Sequence, residues 1–230
     1  RMSDAQGRYI EFCKSSFTDL DLNGLSILLD CANGATYSVA PKVFSELGAD
    51  IETIGASPDG LNINQNCGST SPNALKEAII KGSYDIGIAF DGDGDRILIV
   101  TSDGDILDGD DILYILSKEI PTNSGVVGTL MTNKALELYF QNEGIEFSRA
   151  DVGDKYVLQR LIERSWSLGG EPSGHIICLD SAPTGDAIVA ALKFLNAIKD
   201  KGFSIEKSLE GFKKFPQTLI NPKVDNPNKI

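Results

Sequence analysis

A unit that occurs twice limits what this chain can fold into more than any other feature. Leu25 to Asp30 is a compact apolar run suited to a buried strand, and an Asn33-Gly34 turn follows it. Tyr37, Ala40, Val43, Phe44 and Leu47 then fall on one helical stripe that ends at Gly48, and a second strand-like run covers 50–54. The same grammar returns later. Val126 to Leu130 reads as a strand, 133–142 as a helix with Leu136 and Phe140 at i, i+4, Gly144 as its stop, and Ile145-Glu146-Phe147 as the start of another strand. Strand, helix, glycine and strand made twice from different residues is a repeat of topology. It predicts an α/β protein: two similar three-layer domains, each a mixed β-sheet packed with α-helices.

Other elements fit between these units. Ile10, Cys13 and Phe17 lie near helical spacing, which predicts a leading helix over 4–15. Residues 55–72 are rich in Gly, Asn, Ser and Pro and should form a long loop. Helices are expected over 73–81, 110–119, 155–165 and 186–200, and strands over 84–90 and 97–100. Asp103-Gly104-Asp105 and Asp108-Gly109-Asp110 interrupt the pattern, so the boundary is drawn there: 1–17 leading helix and linker, 18–104 first domain, 105–220 second domain, 221–230 linker. Those later aspartates are read as turns and as the cap of the following helix.

Charge and cysteine content narrow the partners. A net charge of −12 over 230 residues argues against a nucleic-acid backbone. No apolar stretch approaches the roughly 18 residues of a membrane span, so no membrane is expected as partner. Cys13, Cys31, Cys67 and Cys178 are scattered and read as reduced thiols of a cytoplasmic protein. With no signal peptide and a polar terminal stretch over 221–230, the chain reads as a piece of a longer protein.

Between the runs 84–90 and 97–100 lies Asp91-Gly92-Asp93-Gly94-Asp95-Arg96. Three like charges this close repel one another unless a cation sits among them. The glycines let the loop curl its carboxylates toward one point, and hard oxygen ligands suit Mg²⁺ or Mn²⁺. Arg96 adds a fixed positive fork of the kind phosphate recognition uses. An EF-hand needs Gly and Glu where this chain has Arg96 and Ser102. A phosphatase with Asp91 as nucleophile would carry Thr or Val where Asp95 stands, and a plain hairpin would need only one Asp-Gly pair.

A second constellation, Gly169-Gly170-Glu171-Pro172-Ser173-Gly174-His175, precedes a strand-like run. Glu171 and Ser173 offer directional hydrogen bonds to vicinal sugar hydroxyls, and His175 could donate to a phosphate or move a proton. A Gly-rich turn with a solvated Glu and a packed His is the plain alternative. In Val152 to Val157, Asp154 is expected to cap the next helix and Lys155 to meet phosphate, though a surface lysine serves equally. Thr184-Gly185-Asp186 reads as another N-cap, structural in role.

Together these segments resemble the α-D-phosphohexomutase superfamily, and within it the bacterial glucosamine-phosphate branch. The resemblance rests on Asp91–Arg96 and on Gly170–His175. It is reinforced by Asp30-Cys31-Ala32-Asn33-Gly34-Ala35, Gly60-Leu61-Asn62-Ile63-Asn64, Cys67-Gly68 and Val152–Val157, in the family's order over nearly the whole chain. It implies the second and third of four domains, the first of them metal-binding and the next sugar-binding. The family's phosphoserine loop (Ser-Ala-Ser-His-Asn-Pro type) and last phosphate loop (Ser-Gly-Thr-Glu type) have no match here, so an inactive fragment is expected. The implied parent is a Mg²⁺-dependent isomerase interconverting glucosamine 6- and 1-phosphates through a phosphoserine and a bound 1,6-bisphosphate, feeding UDP-N-acetylglucosamine and peptidoglycan synthesis. By the same resemblance, Asp91, Asp93 and Asp95 would be the metal ligands and Arg96 would orient the phosphoryl group. Glu171, Ser173, His175 and Lys155 would hold the substrate. Glucose or mannose phosphates, a self-contained sugar-phosphate phosphatase, a non-enzymatic sugar-phosphate sensor, and a homodimer of the full-length protein stay open.

Overall fold

Both repeat units fold as strand–helix–strand with parallel strands in the computed structural model, which describes residues 4–218 and 220. The first half contains α1 (Ala5–Ser15), β1 (Ser26–Asp30), α2 (Ala40–Glu46), β2 (Asp50–Ile54), α3 (Asn73–Lys81), β3 (Ile86–Phe90), β4 (Ile97–Thr101) and β5 (Ile106–Leu107). The second half contains α4 (Gly109–Leu116), β6 (Gly125–Thr129), α5 (Lys134–Glu143), β7 (Glu146–Ala150), α6 (Asp154–Arg164), β8 (Leu168–Gly170), β9 (Ile176–Cys178), α7 (Ala187–Ile198) and α8 (Ile205–Leu209).

Strand order is β2-β1-β3-β4-β5 in one sheet and β7-β6-β8-β9 in the other. In each, three parallel strands are followed by an antiparallel return, β3 to β4 in one and β8 to β9 in the other. The β3–β4 and β8–β9 connections are therefore equivalent positions of the two sheets. They carry the acidic loop and the Gly-rich loop respectively.

Both faces of the first sheet's inner strands are covered, which is why β1 and β3 read as continuous apolar runs rather than alternating ones. Ile27, Leu29, Ile88 and Phe90 join Val43 and Phe44 in the main core. Leu28, Ala89 and Val100 turn the other way and meet Leu75 and Ile79 of α3. In the second sheet Val127 and Ile177 meet Val157 and Leu161 of α6, while Val126 and Leu168 join Leu136 and Phe140 of the main core. Helix α7 is apolar over most of its surface and buries Ile188, Val189, Leu192, Phe194 and Leu195, while Lys193 pairs with Asp180 at its polar side. It touches α1, α4, β4 and β9, so the two sheets share one continuous core. Each such side chain contributes about 1.5–3 kcal/mol by leaving water.

The expected caps form at two helices, and a third appears at Asn133, for which no cap was expected. Asp108 accepts from Asp110 and Asp111 N–H at the start of α4, and the Asp111 carboxylate accepts the Asp108 N–H in return. Asn133 caps α5, and Asp186 accepts from the N–H groups of Ile188 and Val189. Asp154 departs from expectation: Gly153 precedes the helix at φ 129° and Asp154 already lies inside its first turn, with no capping bond. Strands β5 and β8 and helix α8 carry no readable period, being two, three and five residues long. Strand β5 pairs with β4, so the first sheet extends to Leu107, past the 104/105 division. The expected linker over 221–230 lies outside the described residues.

The start of α4 carries a pH dependence. Asp110 is buried, and burial pushes its carboxyl up to about 6; the Asp108 and Asp111 carboxylates push the same way, against the Asn133 N–H and the Lys214 ammonium. The folded state therefore holds a proton that the unfolded chain releases, so this contribution to stability falls as pH rises from about 4 to about 6. Urea unfolding of the native chain and Asp110→Asn should show native stability dropping relative to the variant by roughly 3 kcal/mol between pH 4 and pH 7. A constant difference across that range would refute it.

Candidate functional site

Asp91 directly follows β3 and organises the loop after it. Its Oδ1 accepts hydrogen bonds from the N–H groups of Gly94 (3.2 Å), Asp95 (3.1 Å) and Arg96 (3.0 Å). That turn brings one oxygen each of Asp91, Asp93 and Asp95 within 4.8 Å of one another. Asp91 is buried, Asp93 exposed and Asp95 between the two, so the cluster opens from the sheet edge to solvent. The Arg96 Nε lies 3.7 Å from Asp91 Oδ2 and 3.9 Å from Asp95 Oδ1. Among the described residues Asp95 Oδ1 is buried with no hydrogen-bond partner. Hard, converging oxygens with one left unsatisfied suit a divalent cation.

Neighbouring segments hold the loop from several sides. Ala35 N–H donates to the Gly92 carbonyl (2.8 Å), and Ala187 N–H, at the start of α7, to the Gly94 carbonyl (2.9 Å). Asp30, at the end of β1, accepts from Ala32 and Gly68 N–H, and burial raises its carboxyl above the usual range. Asn33 accepts from Ser57 N–H and so orders the long 55–72 segment beside the site.

The Gly-rich loop meets the acidic loop directly. Arg96 and His175 form an isolated antiparallel bridge, and Ile97 N–H donates to the Gly174 carbonyl at 3.0 Å. Glu171 closes the Gly-rich loop on itself through its N–H to the His175 carbonyl and its carbonyl from Gly174 N–H. Its Oε1 accepts the Gly153 N–H at 2.9 Å, which draws the start of α6 to the same place. Ser173 is exposed next to it. Lys155 is exposed on the first turn of α6, its ammonium 4.6 Å above the Tyr156 ring.

His175 is packed, as one of the two readings of this loop had it. Its ring is 5% exposed and faces the acidic loop, with Nδ1 3.4 Å from Asp95 Oδ2, rather than standing open in the cleft. The structure thus unites Asp91, Asp93, Asp95, Arg96 and His175, with Glu171 and Ser173 on the adjoining loop and Lys155 one element further.

Sequence reasoning missed two supports. Gly109, the first residue of α4, runs so close under the Gly-rich loop that a Cβ there would lie 1.9 Å from the Glu171 carbonyl oxygen. Its N–H also donates to the Pro172 carbonyl. Tyr9 of α1 donates its hydroxyl to the Asp186 carboxylate at 2.9 Å, tying the leading helix to the capped end of α7. The Asp108-Gly109-Asp110 run was the available signal for the first. Nothing local signalled the second.

Two family models match the chain, one after the other. Residues 7–104 match the model for phosphoglucomutase/phosphomannomutase alpha/beta/alpha domain II, and 108–215 that for domain III. The chain is 54% identical over 226 residues to the phosphoglucosamine mutase of Pseudomonas entomophila, covering 96% of this chain and 51% of that protein. The phosphoglucosamine mutase of Aeromonas salmonicida is 55% identical, with the same coverage. The chain spans about half the length of these relatives. A solved phosphoglucomutase/phosphomannomutase family protein from Burkholderia thailandensis superposes with a TM-score of 0.77 at 25% identity, over 95% of this chain and 48% of that one. The Aspergillus fumigatus N-acetylphosphoglucosamine mutase, solved with GlcNAc-6P and magnesium, shares the fold with a TM-score of 0.75 at 18% identity, over 92% of this chain and 54% of that one.

Proposed function

This chain belongs to the phosphoglucomutase/phosphomannomutase family, and on that premise we propose that it supplies the metal-binding and sugar-binding domains of an enzyme interconverting glucosamine 6-phosphate and glucosamine 1-phosphate. The observation that carries this reading is the bridge between Arg96 and His175, because it seats a phosphate-type cation and an acidic cluster beside a loop of sugar-type hydrogen-bonding groups. Glucosamine as the hexose is supported by relatives named phosphoglucosamine mutase at 54% and 55% identity.

In this reading Asp91, Asp93 and Asp95 hold Mg²⁺, which when bound neutralises charge on the phosphoryl group passing between a phosphoserine outside these residues and the sugar. Arg96 keeps its guanidinium at the edge of the cluster, half-exposed, where it can orient phosphoryl oxygens with paired N–H donors. Glu171 and Ser173 grip adjacent ring hydroxyls. Their bonds serve the sugar in both orientations, which the 1,6-bisphosphate requires as it turns between the two transfers. Lys155 and the N-terminus of α6 face the far phosphate. The functional division is 18–104 for metal and 105–220 for sugar, in a cytoplasmic protein whose full length forms a homodimer and feeds UDP-N-acetylglucosamine. Among the described residues no helix is long and apolar enough to cross a membrane.

Phosphorus NMR of the full-length protein with glucosamine 6-phosphate should show glucosamine 1-phosphate forming. Glu171→Gln keeps the acceptor for Gly153 N–H but removes the charge at the sugar, and should lower kcat/KM by about 10–100-fold. Release of inorganic phosphate without the isomer, abolished by Asp91→Asn, would replace this reading with a phosphatase.

A further inference from the structure

We infer that His175 is a positioning residue for the metal ligand Asp95, so that the second domain completes the cation site of the first. The inference rests on the metal reading above and assigns His175 a task distinct from touching substrate. The ring is wedged between two walls. On one side Nδ1 lies 3.4 Å from Asp95 Oδ2. On the other, Nε2 is buried with no partner among the described residues, and packs so tightly on Gly185 that a Cβ there would lie 2.2 Å away. The His175 backbone is fixed as well, by the bridge to Arg96 and by its carbonyl accepting Glu171 N–H.

An ionised carboxylate can only accept, so a proton on Nδ1 would make this 3.4 Å contact attractive and steady Asp95 through Oδ2. Its Oδ1, buried and without a hydrogen bond among the described residues, stays available to a cation beside the Arg96 Nε at 3.9 Å. The three carboxylates are held differently. Asp91 is fixed by three backbone N–H groups of its own loop, Asp93 stands exposed, and Asp95 depends on a side chain from the other sheet. Partners of metal-bound groups fix ligand orientation, and their loss typically weakens metal binding about 10–100-fold.

The test is Mn²⁺ affinity of the whole chain by calorimetry and by the electron paramagnetic resonance of free Mn²⁺. His175→Ala should weaken binding about 10–100-fold. Asn carries its amide N–H near the position of Nδ1, whereas Gln carries it further out, so His175→Asn should recover most of the affinity and His175→Gln little. That Asn–Gln contrast decides the matter even if the alanine variant is too unstable to assay. Equal affinity in native, Asn and Gln proteins, with Asp93→Asn still abolishing binding, would overturn the positioning role and leave the metal reading standing. Unchanged affinity in Asp93→Asn would overturn both.

Discussion

Asp91→Asn should weaken divalent-cation binding by about 100-fold or more and leave the thermal midpoint within a few degrees of the native value, whereas Asp91→Ala should damage both. The contrast follows from the two tasks of this side chain. Oδ1 accepts three backbone N–H groups, and an Asn oxygen can accept the same three. Asn cannot replace the negative charge that faces Asp93 and Asp95 across the cluster. A carboxylate–cation contact is worth several kcal/mol even at an effective dielectric near 20, and about 2.7 kcal/mol is already 100-fold. Alanine also strands three N–H groups, at about 1 kcal/mol each where water reaches them only in part. For a chain of this size that lowers the midpoint by roughly 6–12 °C. Calorimetric titration with Mg²⁺ or Mn²⁺ alongside thermal unfolding separates the effects. Native cation affinity in Asp91→Asn would remove Asp91 from the site. On the proposed function, the same variant of the full-length protein should lose about 100-fold or more in kcat, as removal of electrostatic stabilisation at a transferring group does.

The acidic cluster was legible because its ligands and the turn that gathers them are local. Three aspartates and two glycines fall in six positions after an apolar run, and the turn that gathers them is made by Asp91 on its own loop. The caps at Asp108 and Asp186 were readable for the same reason, since a cap and the N–H groups it satisfies are neighbours in sequence. Asp154 misled because Asp is the commoner cap type; the backbone reverses at Gly153 instead, at a φ closed to Asp. Strand β8 was hidden because Leu168-Gly169-Gly170 offers no alternation, and Gly169 and Gly170 read as loop. It is a strand through its pairing with β6 and β9, which no local pattern encodes.

Relations between the two domains were not legible at all. Arg96 and His175 sit at equivalent hairpins of two sheets, and the packing of α7 and α4 between those sheets brings the hairpins together. The burial of His175 follows from this. As a lone histidine beside glycines it read either as a proton carrier or as a packed ring, and the apposed acidic loop and Gly185 enclose it. Gly109 is a similar case: beside two aspartates it read as part of a cap, and its lack of a side chain matters only because the Glu171 carbonyl lies above it.

Gly174→Ala should be among the most disruptive single-methyl additions possible in this chain, with an unfolding midpoint lowered by roughly 10 °C. Gly174 has φ +92°, and a Cβ there would lie 2.1 Å from the Ile97 carbonyl oxygen. Neither strand can yield easily, because Gly174 N–H donates to Glu171 and its carbonyl accepts from Ile97. Backbone strain of about 1–3 kcal/mol adds to an overpacking cost of about 1–3 kcal/mol, and each kcal/mol lowers the midpoint by about 2–4 °C at this chain length. Gly144→Ala is the matched control: its φ is +70°, yet a Cβ there meets nothing within 4 Å, so it carries the backbone strain alone. Relief of the clash at 174 parts the two hairpins, which draws His175 from Asp95. A displacement near 1 Å between reacting groups costs about 100-fold, so full-length Gly174→Ala should lose that much in kcat/KM while Gly144→Ala keeps native turnover. Equal losses of stability and activity in the two variants would mean that the contact between the hairpins does not hold the site together.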